Sequence, residues 1–183
     1  MTAPGDPHSG RRQLLLMASL FIFPLAAAAW LYFSSGWRPT ADVRGELIHP
    51  PRPLPTEVLR GRWFLVHPVQ GACDDRCVAV LAELGQVRLA LDKDAERVRR
   101  VLLHGSECCA ADFPLRDEDL LLLAATGSEG AVLRAQFPPA ADGSAGIYIV
   151  DPHGNLMMSY PATGSARGLL ADLERLLRLS TIG

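Results

Sequence analysis

Gly61-Arg62-Trp63-Phe64-Leu65-Val66-His67-Pro68, followed after Val69-Gln70 by Gly71-Ala72-Cys73-Asp74-Asp75-Arg76-Cys77-Val78-Ala79-Val80-Leu81, is the stretch on which the fold turns. Trp63 to Val66 is a short apolar run closed by Pro68 and Gly71, the pattern of a strand buried on both faces. Cys77, Val80, Leu81, Leu84, Val87 and Leu91 then recur at the three-and-four spacing of a helix that covers one face of a sheet, weakened slightly by Gly85. Asp92-Lys93-Asp94 breaks the pattern, and Val98 to Leu103 reads as the next strand. Strand, helix, strand in this order requires the two strands to be parallel.

Further along, Leu120 to Ala124 suits another buried strand, although a run of leucines does not by itself separate strand from helix. Ile147-Tyr148-Ile149-Val150, Asp151-Pro152-His153-Gly154 and Asn155 to Tyr160 read as a hairpin, because Asp first, Pro second and Gly fourth suit a type I turn. The chain ends in a helix with Leu169, Leu170, Leu173, Leu176 and Leu177 on one face. The order is that of an α/β, thioredoxin-like fold, expected over residues 61–183, about 120 residues and enough for one core.

Upstream, Leu14 to Phe33 is a run of 20 residues without a charge. As a helix it spans about 30 Å, the thickness of a bilayer core. Arg11 and Arg12 precede it, and Trp30, Tyr32 and Trp37 gather at its far end, so residues 1–13 are expected in the cytoplasm and the rest of the chain outside it. Pro24 lies mid-span, where a membrane helix tolerates it at the cost of a kink. A cleaved signal peptide is the weaker reading, since apolar residues resume after the small residues Ala26 to Ala29. A twin-arginine export signal at Arg11-Arg12 and a buried soluble helix fit less well still. Between the span and the domain, residues 34–60 carry Pro39, Pro50, Pro51, Pro53 and Pro55, which rule out regular helix or inner strand and suggest a stiff tether. The net charge of −2 leaves no basic surplus for nucleic acid.

Cys73 and Cys77 bracket the junction of first strand and first helix. A helix N-terminus offers unpaired N–H groups and a partial positive charge that stabilise a thiolate. The spacing places both sulfurs beside the first turn, ready for a disulfide or a shared metal. So short a loop makes a poor structural staple, which favours redox or metal chemistry.

These residues carry a resemblance. Leu59-Arg60-Gly61-Arg62-Trp63-Phe64-Leu65-Val66, Gly71-Ala72-Cys73-Asp74-Asp75-Arg76-Cys77, the hairpin Ile147 to Gly154 and the N-terminal anchor resemble the Sco (SenC) proteins, membrane-anchored thioredoxin-like factors that help load copper into the CuA centre of cytochrome c oxidase. The resemblance implies a bacterial inner-membrane, single-pass protein with its C-terminal domain in the periplasm. It implies Cu(I) as cargo, and as partner the copper-bearing subunit of cytochrome c oxidase or another assembly factor. The departures are specific: Ala140 to Gly146, where the family places its metal-ligand histidine, has none, and Asp74 and Val78 replace prolines that usually flank the cysteines.

His104, after the second parallel strand, is the substitute ligand considered for Cys73 and Cys77, because the C-terminal ends of parallel strands share one edge of the sheet. His67 is similarly placed, and for His104, a lone histidine without a fixed partner, a structural or solvated role outweighs that of ligand. Met157 and Met158 are soft thioethers, but adjacent strand residues face opposite sides, so at least one belongs to the core. His153 in its turn, His49 in the tether and His8 are poor candidates. Cys108 and Cys109 are read either as partners that resolve the first pair or as incidental, a bond between neighbours being disfavoured by geometry. The leading expectation is thiol–disulfide exchange by Cys73 and Cys77 in oxidase assembly, ahead of Cu(I) delivery; analogy with other thioredoxin-like proteins points to Cys73 as the attacking thiol. The rivals are a non-catalytic membrane scaffold that has kept the fold and a general envelope thiol oxidoreductase.

Overall fold

The structure, a computed structural model, describes residues 7–33, 44–109, 113, 117–139 and 145–182. The chain divides into two units, 1–42 and 43–183. The first contains one helix, α1 (Pro7–Phe33), with Pro24 inside it. Leu20, Phe21, Ile22 and Phe23, four successive residues that point to four sides of α1, are exposed by 74, 72, 62 and 76%. Among the described residues no helix is long and apolar enough to cross a membrane. The side chains at 14, 15, 28 and 31–33, within the uncharged run, lie outside the described residues.

The second unit is built on one mixed sheet of six strands: β1 (Glu46–Pro53), β2 (Trp63–Pro68), β3 (Val98–His104), β4 (Leu120–Ala124), β5 (Ile147–Val150) and β6 (Asn155–Tyr160), in the order β1-β6-β5-β2-β3-β4. β2, β3 and β4 are parallel, and β5, β6 and β1 extend the sheet beyond β2, each antiparallel to the strand before it. β2 and β3 are linked by α2 (Asp75–Ala90) and a 3₁₀ turn, Asp92–Arg97. β4 is linked to β5 through α3 (Gly127–Arg134), and α4 (Ala166–Leu179) closes the chain.

Both faces of the sheet are covered, which is why β5 is apolar throughout and β2 is apolar but for His67. On one face Trp63, Leu65, Val98, Ile147 and Ile149 meet Val80, Leu84 and Val87 of α2 and Leu169, Leu173 and Leu177 of α4. Each of those α4 leucines is at most 2% exposed, and full burial contributes about 2 kcal/mol apiece. On the other face Phe64, Val66, Val101, Leu103, Tyr148 and Val150 meet Leu133 of α3, Phe137, Leu54 and Leu59. Met158 is core, with Met157 packed at its margin. The turn between β5 and β6 closes with Gly154 N–H donating to Asp151 O at 2.9 Å. The Asp151 carboxylate accepts from the N–H groups of His153 and Asn155, and Gly154 takes φ +85, a conformation that suits glycine.

One reading needs correction. Residues 46–53, taken from their prolines as tether, form β1 at the edge of the sheet, paired with β6 through Glu46↔Ser159, Leu47↔Met158, Arg52↔Leu156 and Pro53↔Asn155. Proline is excluded from inner strands but not from an edge, and the pairing slips between Leu47 and Arg52, across Pro50 and Pro51. Residues 34–43 of the tether lie outside the described residues.

Candidate functional site

The C-terminal ends of β2 and β3 lie side by side, with Pro68 opposite Leu103 and Val69 N–H donating to Leu103 O at 2.8 Å. The loops that leave them therefore emerge together. A side chain added at Gly105 would come 3.9 Å from Gln70 O, and one added at Gly71 would come 3.9 Å from Glu107 Oε2. One loop leads to Cys73 and Cys77, the other to Cys108 and Cys109, so this edge gathers all four cysteines with His67 and His104.

Cys73 and Cys77 are joined by a disulfide with Cα atoms 5.2 Å apart. Asp74 is the N-cap of α2, its Oδ1 accepting the Cys77 N–H at 3.0 Å, so Cys77 sits in the first helical turn and Cys73 just before it. Cys77 is 5% exposed, whereas Cys73 is half-buried. Cys77 and Asp74 line a cavity of about 1230 Å³ together with His67, Gln70, Phe137 and Tyr148. His67 is buried and donates from Nδ1 to Gly146 O at 3.0 Å. Burial pushes its pKa down, partly opposed by the Gly146 carbonyl and the Asp74 charge. The net effect favours the neutral imidazole.

Cys108 and Cys109 are also joined to each other, with Cα atoms 3.7 Å apart. This corrects the expectation that neighbours would not bond, and it is accompanied by a left-handed backbone at Cys109, φ +69. Both cysteine pairs pack on one small apolar cluster of Val69, Leu81, Leu102 and Phe113. His104 is 8% exposed, and its Nδ1 faces Gly105 O at 2.7 Å. Its ligating atoms group with Cys108 and Cys109, all three within 4.8 Å of one another. Among the described residues no third histidine, cysteine or carboxylate groups with Cys73 and Cys77, so His104 stands with the second pair rather than with the first. Residues 140–144, most of the stretch that would correspond to the Sco histidine, lie outside the described residues. His153 and His49 are exposed and away from this edge, His153 in the hairpin turn and His49 in β1.

At the start of β3 the structure shows a site that the sequence reading did not single out. Arg100, 2% exposed, donates to Asp119 from Nε at 2.6 Å, to Asp117 and to Leu81 O. Burial alone pushes the Asp119 pKa up, but the hydrogen bond and charge of Arg100 outweigh it and hold the carboxyl below its usual range. Arg99-Arg100 in a strand leaves one of the two facing inward, and a charged residue on the buried side of a strand is the signal that points to it.

A mixed sheet covered on both faces, with a cysteine pair at the N-terminus of the helix after its first parallel strand, defines a thioredoxin-like domain. The chain belongs to the family of transmembrane-like, thioredoxin-like C-terminal domains, whose model matches residues 63–180. Among curated proteins none matches it. Among solved structures it is similar to copper-bound ScoI of Bradyrhizobium japonicum, at 24% identity over 64% of this chain and 87% of that one, with a TM-score of 0.46. It is also similar to apo Sco1 of Thermus thermophilus, at 19% identity over 72% and 95%, with a TM-score of 0.48. The exposed lipoprotein thioredoxin Etrx1 of Streptococcus pneumoniae matches at 18% identity over 64% and 87%, with a TM-score of 0.40.

Proposed function

We propose that this protein is a membrane-anchored thiol–disulfide exchange factor of the bacterial envelope that reduces the cysteines of a client copper site during cytochrome c oxidase assembly. The observation that carries the chemistry is the Cys73–Cys77 disulfide at the start of α2, with Cys73 the more exposed residue of the two. The anchor is supported by the uncharged run from Leu14 to Phe33 and by the apolar residues exposed on every side of α1. The oxidase client is supported by the sequence resemblance to Sco proteins.

In the reduced protein the Cys73 thiolate attacks a client disulfide, forming a mixed disulfide and releasing one client thiolate. The Cys77 thiolate then attacks the Cys73 sulfur, which closes the Cys73–Cys77 bond and releases the second client thiolate, so two electrons and no atoms pass to the client. The unpaired N–H groups of α2 favour thiolate, while the carboxylates of Asp74 and Asp75 beside it oppose that, with Arg76 a partial counterweight. Carboxylates that disfavour the thiolates favour the disulfide, which makes the reduced pair a reductant. Cu(I) held by Cys73 and Cys77 fits less well, because no histidine, further cysteine or carboxylate groups with them among the described residues.

The test is a trap. With Cys77→Ser, the Cys73 mixed disulfide should accumulate on a peptide carrying the paired cysteines of a CuA loop, and Cys73→Ser should give none. Equal, negligible trapping in both variants would leave the scaffold reading in its place.

A further inference from the structure

We propose that His104, Cys108 and Cys109 form a second, redox-gated site that binds Cu(I) only when the Cys108–Cys109 disulfide is reduced. Four observations converge on it. The ligating atoms of the three side chains lie within 4.8 Å of one another, and they make the one such group among the described residues. Donors held at about 2.0–2.3 Å from one ion lie up to about 4.5 Å apart, so small side-chain rotations close the site. His104 is buried, and its Nδ1 hydrogen, donated to Gly105 O, orients the ring and leaves Nε2 as the nitrogen with a lone pair. The pair rests on the apolar cluster of Val69, Leu81, Leu102 and Phe113, which limits water at the site.

The donor set selects the ion. Two soft thiolates and one borderline imidazole, three donors in all, suit Cu(I) better than a hard, oxygen-seeking cation. The disulfide is the gate, since sulfurs bonded to each other are not thiolate ligands. Opening it takes a dithiol reductant: the dithiol gives two electrons and two protons, becomes a disulfide, and leaves two thiols at Cys108 and Cys109. Binding Cu(I) then releases those two protons to water. The loop contacts at Gly71 and Gly105 place the Cys73–Cys77 pair beside this gate, and its reduced form is a dithiol of the required class within the chain; only this last step rests on the exchange reading above.

The experiment uses the full chain in detergent micelles, reduced with a phosphine, exchanged into anaerobic buffer and titrated with Cu(I) against a chromophoric Cu(I) chelator. The C73S/C77S variant should keep one equivalent of Cu(I), and C108S/C109S should lose that equivalent. His104→Ala should weaken it about tenfold or more, the scale on which even outer-shell partners act. Unreduced C73S/C77S should bind none. Alkylation mapped by peptide mass in C73S/C77S gives a readout that needs no change at the site: Cu(I) should protect Cys108 and Cys109. Equal labelling with and without Cu(I), an equivalent that survives C108S/C109S, or a preference for Zn(II) over Cu(I) would overturn the proposal. Trapping through Cys73 is measured separately in C108S/C109S, so a failure of exchange there leaves the metal site standing, and the reverse.

Discussion

The two ends of β3 are built from opposite materials. At its start, Arg100 is held by Asp117, Asp119 and Leu81 O, and the neighbouring Arg97 reaches Asp94, Leu177 O and Ser180 O, while Arg88 binds Val98 O. At its end stand His104, His67, whose proton depends on pH, and four cysteines, whose bonding changes with redox potential. Fixed, fully partnered charges stabilise one edge, and groups that can change bonding partners occupy the other. Stability and chemistry are thereby separated along a strand of seven residues.

The hardest blow to that division is Arg100→Met. Breaking a buried ion pair by removing one partner costs about 3–5 kcal/mol, so the denaturation midpoint should fall sharply while the Cys73 trap still forms in the folded protein. Loss of trapping in folded protein would show that the edges are not separate. Removing the Cys73–Cys77 bond with C73S/C77S should cost about 2 kcal/mol, the loop-entropy value for so short a closure, and should abolish exchange completely. A loss as large as that of Arg100→Met would make the bond structural.

Gly85→Ala sharpens the picture at smaller scale. Alanine gains about 1 kcal/mol in helix propensity, yet its Cβ would lie 2.8 Å from Arg100 Nη1, so the variant should be destabilised by about 1 kcal/mol. In the Arg100→Met background the sign should reverse, and urea titration of the double-mutant cycle reads this directly.

The edges should also titrate apart. His67 has a folded pKa below its unfolded 6.5, so the unfolded chain binds its proton first, and the stability from this group falls as pH drops from about 6.5. Asp119 has a lowered folded pKa, so its contribution is present above about 3.8 and is lost as pH falls through the folded value. His67→Phe should flatten the first limb of the stability profile, and Asp119→Asn the second; a single limb moved by both variants would defeat the separation. The gentlest probe is Asp74→Asn, which keeps an N-cap and removes one carboxylate. It should raise the reduction potential of Cys73–Cys77 by roughly 10–30 mV, the range of up to a tenfold change in equilibrium constant.

The strand–helix–strand centre was legible because its signals agree: Trp63 to Val66 for a buried strand, the spacing from Cys77 to Leu91 for α2, and the Asp-Pro-His-Gly turn for the hairpin. β1 was not, since its prolines hide an edge strand that draws its pairing from β6, over one hundred residues away. α3 was missed because Gly127 and Gly130 suppress helical signal; Gly130 is there because a Cβ would lie 2.1 Å from the Ala125 carbonyl carbon. Asp172, set inside the leucine stripe of α4, gave no hint that its Oδ2 would accept from Tyr160 Oη at 2.8 Å and from the N–H groups of Arg44 and Gly45. In the candidate site, strand order alone placed Cys73, Cys77, His67 and His104 on one edge. Which cysteines His104 joins depends on the path of a five-residue loop, Gly105 to Cys109, that no periodicity describes.

β1 brings a consequence for the protein's company. Three of its eight residues, Pro50, Pro51 and Pro53, have no N–H to offer, and the strand is interrupted where two of them stand. An open sheet margin is a template for another chain, a second copy of the same domain included. The prolines that obscure this strand in the sequence also make it a poor mould for a stranger's backbone, so on this side the sheet is guarded against zipping to its own kind.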